Sequence, residues 1–239
     1  MEMNINNKIL RFCLTSIMLT ICFYGFSQPY VIQSKDGFAN IRENGNINAK
    51  VIHKLNSNTV ILIDQIEDQD VENDKWLKIL YYKNRPFSIL EDLENSEMET
   101  GYIHISQIIP IESLEKDNSG VLKMNYSIGS FIPKNYKITY HDDTQNFINT
   151  INNYHYYLSD CGTPKTAITK ATAVLNKTSI TIPDKLWLGI ISSQNDFQYF
   201  KSKDALFAYQ GIGDGSCFNH VVWVFQRGKL IQRFIGWEY

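Results

Sequence analysis

The chain has 239 residues, enough for one large or two small domains, and its 44% hydrophobic and 20% charged content excludes a disordered polymer. The net charge of −2 is unevenly spread: residues 29–111 hold 8 basic against 13 acidic side chains, and residues 112–239 hold 13 against 11. An acidic first part and no basic stripe interleaved with aromatics exclude a phosphate backbone as partner, so no nucleic acid is expected. Fourteen tyrosines and 13 phenylalanines with scarce alanine lean the chain towards strands.

Residues 1–28 read as an export signal. Lys8 and Arg11 precede an apolar run, Phe12–Phe26, and Gly25 and Ser27 lie at −3 and −1 of a cut before Gln28. The run is about 15 residues, short of the ~20 that span a bilayer as a helix, so no stable membrane span is expected after cleavage. Cys22 is a poor lipidation site because Ile21 before it is bulky. The chain is therefore expected to be exported: periplasmic, outer-envelope or secreted. Cys13 and Cys22 leave with the signal, and in an oxidising compartment the remaining pair, Cys161 and Cys217, most simply forms one disulfide.

Residues 29–111 read as short strands parted by polar turns. Tyr30–Gln33 precedes the turn Lys35-Asp36-Gly37, and Phe38–Arg42 follows it. Val51–Leu55 leads through Asn56-Ser57-Asn58 into the apolar Val60–Ile63. Trp76–Tyr82, Gly101–Ile105 and Ile108–Ile111 complete the set. So many short strands bury a useful core only if the sheet curls into a barrel.

In order, Phe38-Ala39-Asn40-Ile41-Arg42-Glu43, Lys50-Val51-Ile52 with Leu55, Val60-Ile61-Leu62-Ile63, Trp76-Leu77-Lys78-Ile79 and Gly101-Tyr102-Ile103 resemble the strand signatures of bacterial SH3 domains. Asn58 stands where that family has glycine, and tolerates positive φ at small cost. An acidic insertion, Lys83–Thr100, separates the Trp strand from the Gly-Tyr strand, and a second acidic run spans Glu67–Asp74. The resemblance implies an SH3-like barrel that recognises peptidoglycan or an envelope protein. Trp76, Tyr81 and Tyr102 are the aromatics it offers for a ligand groove.

Residues 112–120, ending in Asp117-Asn118-Ser119-Gly120, read as a linker, and residues 121–239 as a second, mostly antiparallel β domain. Lys137–Tyr140 reads as a strand. Phe147–Ile151 and Tyr154–Leu158 flank Asn152-Asn153 as a hairpin, preferred over a helix with Phe147, Ile151, Tyr154 and Leu158 on one face. Ala173–Leu175 and Ser179–Ile182 flank Asn176-Lys177, and Leu206–Tyr209, His220–Phe225 and Leu230–Ile235 close the series. Asp160-Cys161-Gly162-Thr163-Pro164, Asp214-Gly215 and Val221-Val222-Trp223 resemble regions that follow SH3-type domains in secreted bacterial proteins, which implies no activity. Gly211-Ile212-Gly213-Asp214-Gly215 reads as a loop, because a strand and not a helix N-terminus follows it.

One arrangement resembles the cysteine peptidases of the NlpC/P60 group: Asp160-Cys161 as the nucleophile dipeptide, Lys203–Phe207 as a core strand and His220–Phe225 as the strand bearing the base. That chemistry needs a Cys161 thiolate within reach of His220. It departs from the family in Gly162-Thr163-Pro164, which removes the cue for a helix at the nucleophile. Gln232 is the one nearby polar group to orient His220. The other histidines (His53, His104, His141, His155) are too scattered for a metal site, and no cofactor is implied.

The expectation is thus an all-β protein, a small SH3-like barrel followed by a second mostly antiparallel β domain, acting as a non-enzymatic binding protein of the cell envelope. A peptidase using Cys161 and His220 is the alternative. An inhibitor or immunity protein presenting its acidic loops is the second.

Overall fold

A computed structural model describes residues 28–64, 74–82, 98–141 and 143–237. The segment read from the sequence as an export signal, up to Ser27, and most of both acidic runs lie outside them.

The turn-punctuated first part forms β1 (Tyr30–Ile32), β2 (Phe38–Arg42), β3 (Val51–Asn56), β4 (Val60–Ile63), β5 (Trp76–Tyr82), β6 (Met98–His104) and β7 (Ile108–Pro110). They make one antiparallel sheet in the order β3-β2-β6-β5-β4-β1-β7, which curls into a half-barrel. Its inside is filled by Ile32, Ala39, Ile41, Leu55, Ile61, Ile79, Tyr81 and Ile103. Asn58 has φ 71° and supplies the left-handed residue that turns β3 into β4. Gly101 is required by packing, since a Cβ there would collide with the Cγ2 of Ile41.

The second part is antiparallel throughout, and with it the protein is all-β. Its strands are β8 (Glu115–Lys116), β9 (Leu122–Ser130), β10 (Ile138–Tyr140), β11 (Ile148–Ile151), β12 (Tyr154–His155), β13 (Thr166–Leu175), β14 (Thr178–Ile182), β15 (Gln198–Ser202), β16 (Ala205–Ile212), β17 (Asn219–Gln226) and β18 (Lys229–Trp237). They form sheets β10-β11-β12, β14-β13-β9 and β18-β17-β16-β15-β8. Asn152-Asn153 (φ 52° and 69°), Asn176-Lys177 (50° and 68°) and Arg227-Gly228 (50° and 81°) put both central residues in the left-handed region. That conformation is the hairpin turn whose twist matches the flanking strands. The hairpin at 152–153 is formed, and among the described residues helical structure is confined to three-residue 3-10 turns.

Segment 112–120 does more than connect. Glu115 and Lys116 pair with Lys201 and Phe200 as an edge strand, and the Asp117 N–H donates to the Tyr199 carbonyl at 2.9 Å. The two halves also share a core. Val60 and Leu62 of β4 and Tyr82 of β5 pack with Phe207, Val222, Val224 and Phe234. Every residue of β4 is buried because Ile61 faces into the half-barrel while Val60 and Leu62 face the second half. β17 is covered on both sides in the same way. Val222 and Val224 join this shared core, whereas Val221, Trp223 and Phe225 join the larger core of the second half.

Candidate functional site

The aromatic residues singled out in the half-barrel divide between its two faces. Trp76 pairs with His104 and Lys78 with Tyr102, so Trp76, Lys78, Tyr102 and His104 share the outer face of the β5–β6 ladder. Arg42 lies opposite Tyr102 on β2. Trp76 and Tyr102 are each partly exposed. The Arg42 guanidinium lies 5.8 Å from the Trp76 ring centroid and donates to the Ala49 carbonyl at 2.6 Å. The His104 ring meets Trp76 edge-on, with centroids 5.2 Å apart. Gly45 lets the 43–50 loop lean on the pair, since a Cβ there would come within 3.1 Å of Trp76 Cβ and 3.3 Å of Tyr102 Cδ1. This arrangement offers a flat indole, a phenol and a fixed cation to a ligand.

Tyr81 is not part of that face. It is fully buried inside the half-barrel, stacked on His53 at 5.5 Å, and its hydroxyl donates to Glu99 Oε2 at 3.4 Å. Burial, reinforced by the Glu99 carboxylate, pushes its pKa up to about 12. The acidic runs flanking this ladder fall mostly outside the described residues, so the inhibitor reading has no described surface.

The Cys161–His220 pair is not assembled as a dyad. Cys161 is disulfide-bonded to Cys217, with Cα atoms 5.7 Å apart, inside the range that a disulfide spans. The bond ties the 3-10 turn Ser159–Cys161 to the turn Gly215–Cys217. The nucleophile of the peptidase alternative is therefore consumed as a sulfur–sulfur bond. His220 is buried on β17, and its Nδ1 lies 2.9 Å from the Tyr209 hydroxyl. Strand alternation puts it on the face of Val222 and Val224. Asn219 on the opposite face donates to the carbonyls of Tyr157 and Cys217 at 2.9 and 3.0 Å. Gln232, the sequence candidate for orienting His220, instead binds the backbone of Val60.

Cys161, Asp214 and Cys217 are the one cluster of three potential metal ligands among the described residues. A disulfide offers no thiolate to a metal, so the cluster does not carry metal chemistry. The 211–215 segment ends β16 and turns into the strand β17, as read from the sequence. A cleft of about 320 Å³ beside the disulfide is lined by Ser192, Gln194, Asp196 and Gly213.

Two features escaped sequence reading. A groove of about 520 Å³ lies where the halves meet, lined by Gln33, Lys35, Asp36, Ser106, Gln107 and Lys203. Only the long-range contact between the halves creates it, and no local signal marks it. The other is Arg233, buried with its guanidinium 5.9 Å from the Tyr157 ring. Desolvation lowers its pKa, while the neighbouring Tyr157, Tyr82 and Tyr126 act in the opposite direction. Its place on a strand, Leu230–Ile235, was legible in the sequence, but the buried charge was not.

No protein-family model, curated protein or solved structure matches this chain. Among the described residues no helix is long and apolar enough to cross a membrane.

Proposed function

We propose that this chain is an exported, non-enzymatic binding protein of the cell envelope, whose half-barrel holds a peptidoglycan or protein ligand on the Trp76–Tyr102 face. The observation that carries the reading is this face itself. Two partly exposed aromatic residues sit diagonally on one face of the β5–β6 ladder, with Arg42 and His104 against Trp76, and the alternate residues Leu77, Ile79 and Ile103 are buried on the other face. Aromatic rings with a polar tip and a nearby guanidinium are the groups that dominate binding surfaces. The order of the strand signatures, which resembles bacterial SH3 domains, supports the same reading. So does the sequence of residues 1–28 as an export signal, and a disulfide fits an oxidising compartment. The bonded state of Cys161 removes the nucleophile that a peptidase needs.

The test is co-sedimentation of the mature chain, beginning at Gln28, with purified sacculi. The wild type is expected to pellet, and the W76A/Y102A variant to lose at least tenfold in affinity. A wild-type chain that stays in the supernatant at all concentrations overturns the peptidoglycan ligand. Equal pelleting of the variant overturns the face. No soluble wall fragments are expected in either case, and their release would restore the peptidase.

A further inference from the structure

We propose that the polar groove between the two halves continues the Trp76 face and seats a carboxylate-bearing sugar of an N-acetylated aminosugar glycan. The inference rests on the binding reading above and adds the ligand class and a second subsite.

Continuity comes from three side chains in sequence. The Trp76 ring packs on His104, His104 Nδ1 lies 2.8 Å from the Ser106 hydroxyl, and Ser106 lines the groove. A ligand longer than one unit that stacks on the indole therefore runs over Ser106 into the groove. About 520 Å³ is within the usual size of a small-ligand pocket.

The walls are fixed before any ligand arrives. The Gln33 N–H donates to the Gln107 carbonyl at 2.8 Å, and Gln33 Nε2 donates across the junction to the Ser202 hydroxyl at 2.8 Å. The Asp36 N–H donates to Ser34 Oγ at 3.3 Å, which holds the turn carrying Lys35. Lys203 sits at φ 52° in the tight turn joining β15 to β16.

The chemistry of the lining selects the ligand. Hydroxyl and amide groups from Ser106, Gln107 and Gln33 match hydroxyls and acetamides, and no large apolar side chain lines the groove to anchor a peptide. Lys35 and Lys203 approach from opposite halves, and no ion pair among the described residues engages either ammonium. With Asp36 the one carboxylate lining it, the groove keeps a single excess positive charge, suited to one carboxylate on the sugar it seats.

The test is amide and indole NMR of the full mature chain with two soluble probes. One is a tetrasaccharide alternating N-acetylglucosamine and N-acetylmuramic acid, and the other is the neutral N-acetylglucosamine tetrasaccharide. The acidic probe is expected to shift Lys35, Gln107 and Lys203 together with the Trp76 indole, and to bind at least tenfold tighter than the neutral one. The exposed-site variant K35Q/K203Q is expected to remove that preference while the Trp76 shift persists. Shifts confined to Trp76 and Tyr102 overturn the groove and leave the binding reading standing. Equal affinity for the two probes overturns the anionic subsite. Shifts at neither place overturn both readings, and a free stem peptide that perturbs the groove more than the glycan overturns the ligand class.

Discussion

Gln232 on β18 closes its side-chain amide onto the backbone of Val60 on β4. The Val60 N–H donates to Gln232 Oε1 at 2.8 Å, and Gln232 Nε2 donates to the Val60 carbonyl at 3.0 Å. Val60 needs this partner because the neighbouring bonds of β1 go to Thr59 and Asn58, and the pairing of β4 with β5 is at Leu62 and Ile63. One amide thus stands in for a missing strand and joins residues 172 apart in sequence. Around it Val60 and Leu62 are sealed by Phe207, Val222 and Phe234.

Replacing Gln232 by leucine strands two buried backbone groups, each costing about 1–3 kcal/mol when left unmade. The expected loss of stability is about 3 kcal/mol, read from urea midpoints at constant m-value. Because the core is shared, the wild type is expected to unfold in one transition by tryptophan fluorescence and far-UV dichroism alike. Two separated transitions in the wild type contradict an integrated core. A Q232L midpoint equal to wild type shows that the amide bridge contributes nothing.

The disulfide joins Cys161 and Cys217 across a separation of 56 residues. In the chain-entropy picture a loop of this length is worth about 4 kcal/mol, by limiting the unfolded chain. The C161A/C217A chain is expected to be less stable by up to that amount, and wild type in reductant is expected to match it. Binding to sacculi is expected to survive at temperatures where the variant remains folded, since the bond lies far from Trp76 in the topology. Rapid alkylation of Cys161 in the untreated mature chain at neutral pH contradicts the bonded state.

Legibility followed local physics. The turns at Asn152-Asn153 and Asn176-Lys177 were readable because asparagine tolerates positive φ, and β2, β4 and β5 fall where alternation and apolar runs put them. The unbroken Val60–Ile63 run carried the message that both faces are buried, but not which element covers the outer one. β9 and β15 were missed. In β9, Leu122, Met124 and Tyr126 alternate with Lys123, Asn125 and Ser127, but the end Ser127-Ile128-Gly129-Ser130 breaks the alternation with glycine and hides the strand. The pairing of Glu115–Lys116 with β15 was invisible, because two exposed charged residues become a strand only when another edge accepts them. Gln232 was noticed for the wrong partner. Hydrogen bonding to a backbone 172 residues away leaves no mark on its neighbours.

The division of the aromatics gives a test of the proposed binding face. Trp76 and Tyr81 lie five apart on β5, an odd spacing, so their side chains must take opposite faces. Trp76→Ala and Tyr102→Ala are each expected to weaken binding to sacculi several-fold or more, with a stability change below about 1.5 kcal/mol for the partly exposed Tyr102. Tyr81→Phe is expected to leave binding unchanged and to cost about 1 kcal/mol through loss of its bond to Glu99. Equal binding losses in all three variants would mean that the effect is unfolding and not ligand contact, which circular dichroism distinguishes.

The pH dependence of stability is expected to carry the mark of His155. Burial pushes its pKa down to about 4 from 6.5, the charge of His141 adds to this, and a hydrogen bond with the Asn149 backbone opposes it. The folded state therefore keeps the ring neutral while the unfolded state takes up a proton as pH falls below 6.5. Stability is full above that value, declines as pH falls towards about 4, and gains no further loss from this group below it. Over the whole window the contribution is roughly 3 kcal/mol at most. Carboxylates add their own slope below about pH 5, so the group is isolated by comparison with H155Q, whose glutamine cannot take up a proton there. Urea midpoints between pH 4 and 7.5 are expected to fall more steeply in wild type than in H155Q, with the excess spread between about pH 4 and 6.5 and steepest midway between them. Parallel curves for the two proteins would show that His155 titrates alike in the folded and unfolded chain.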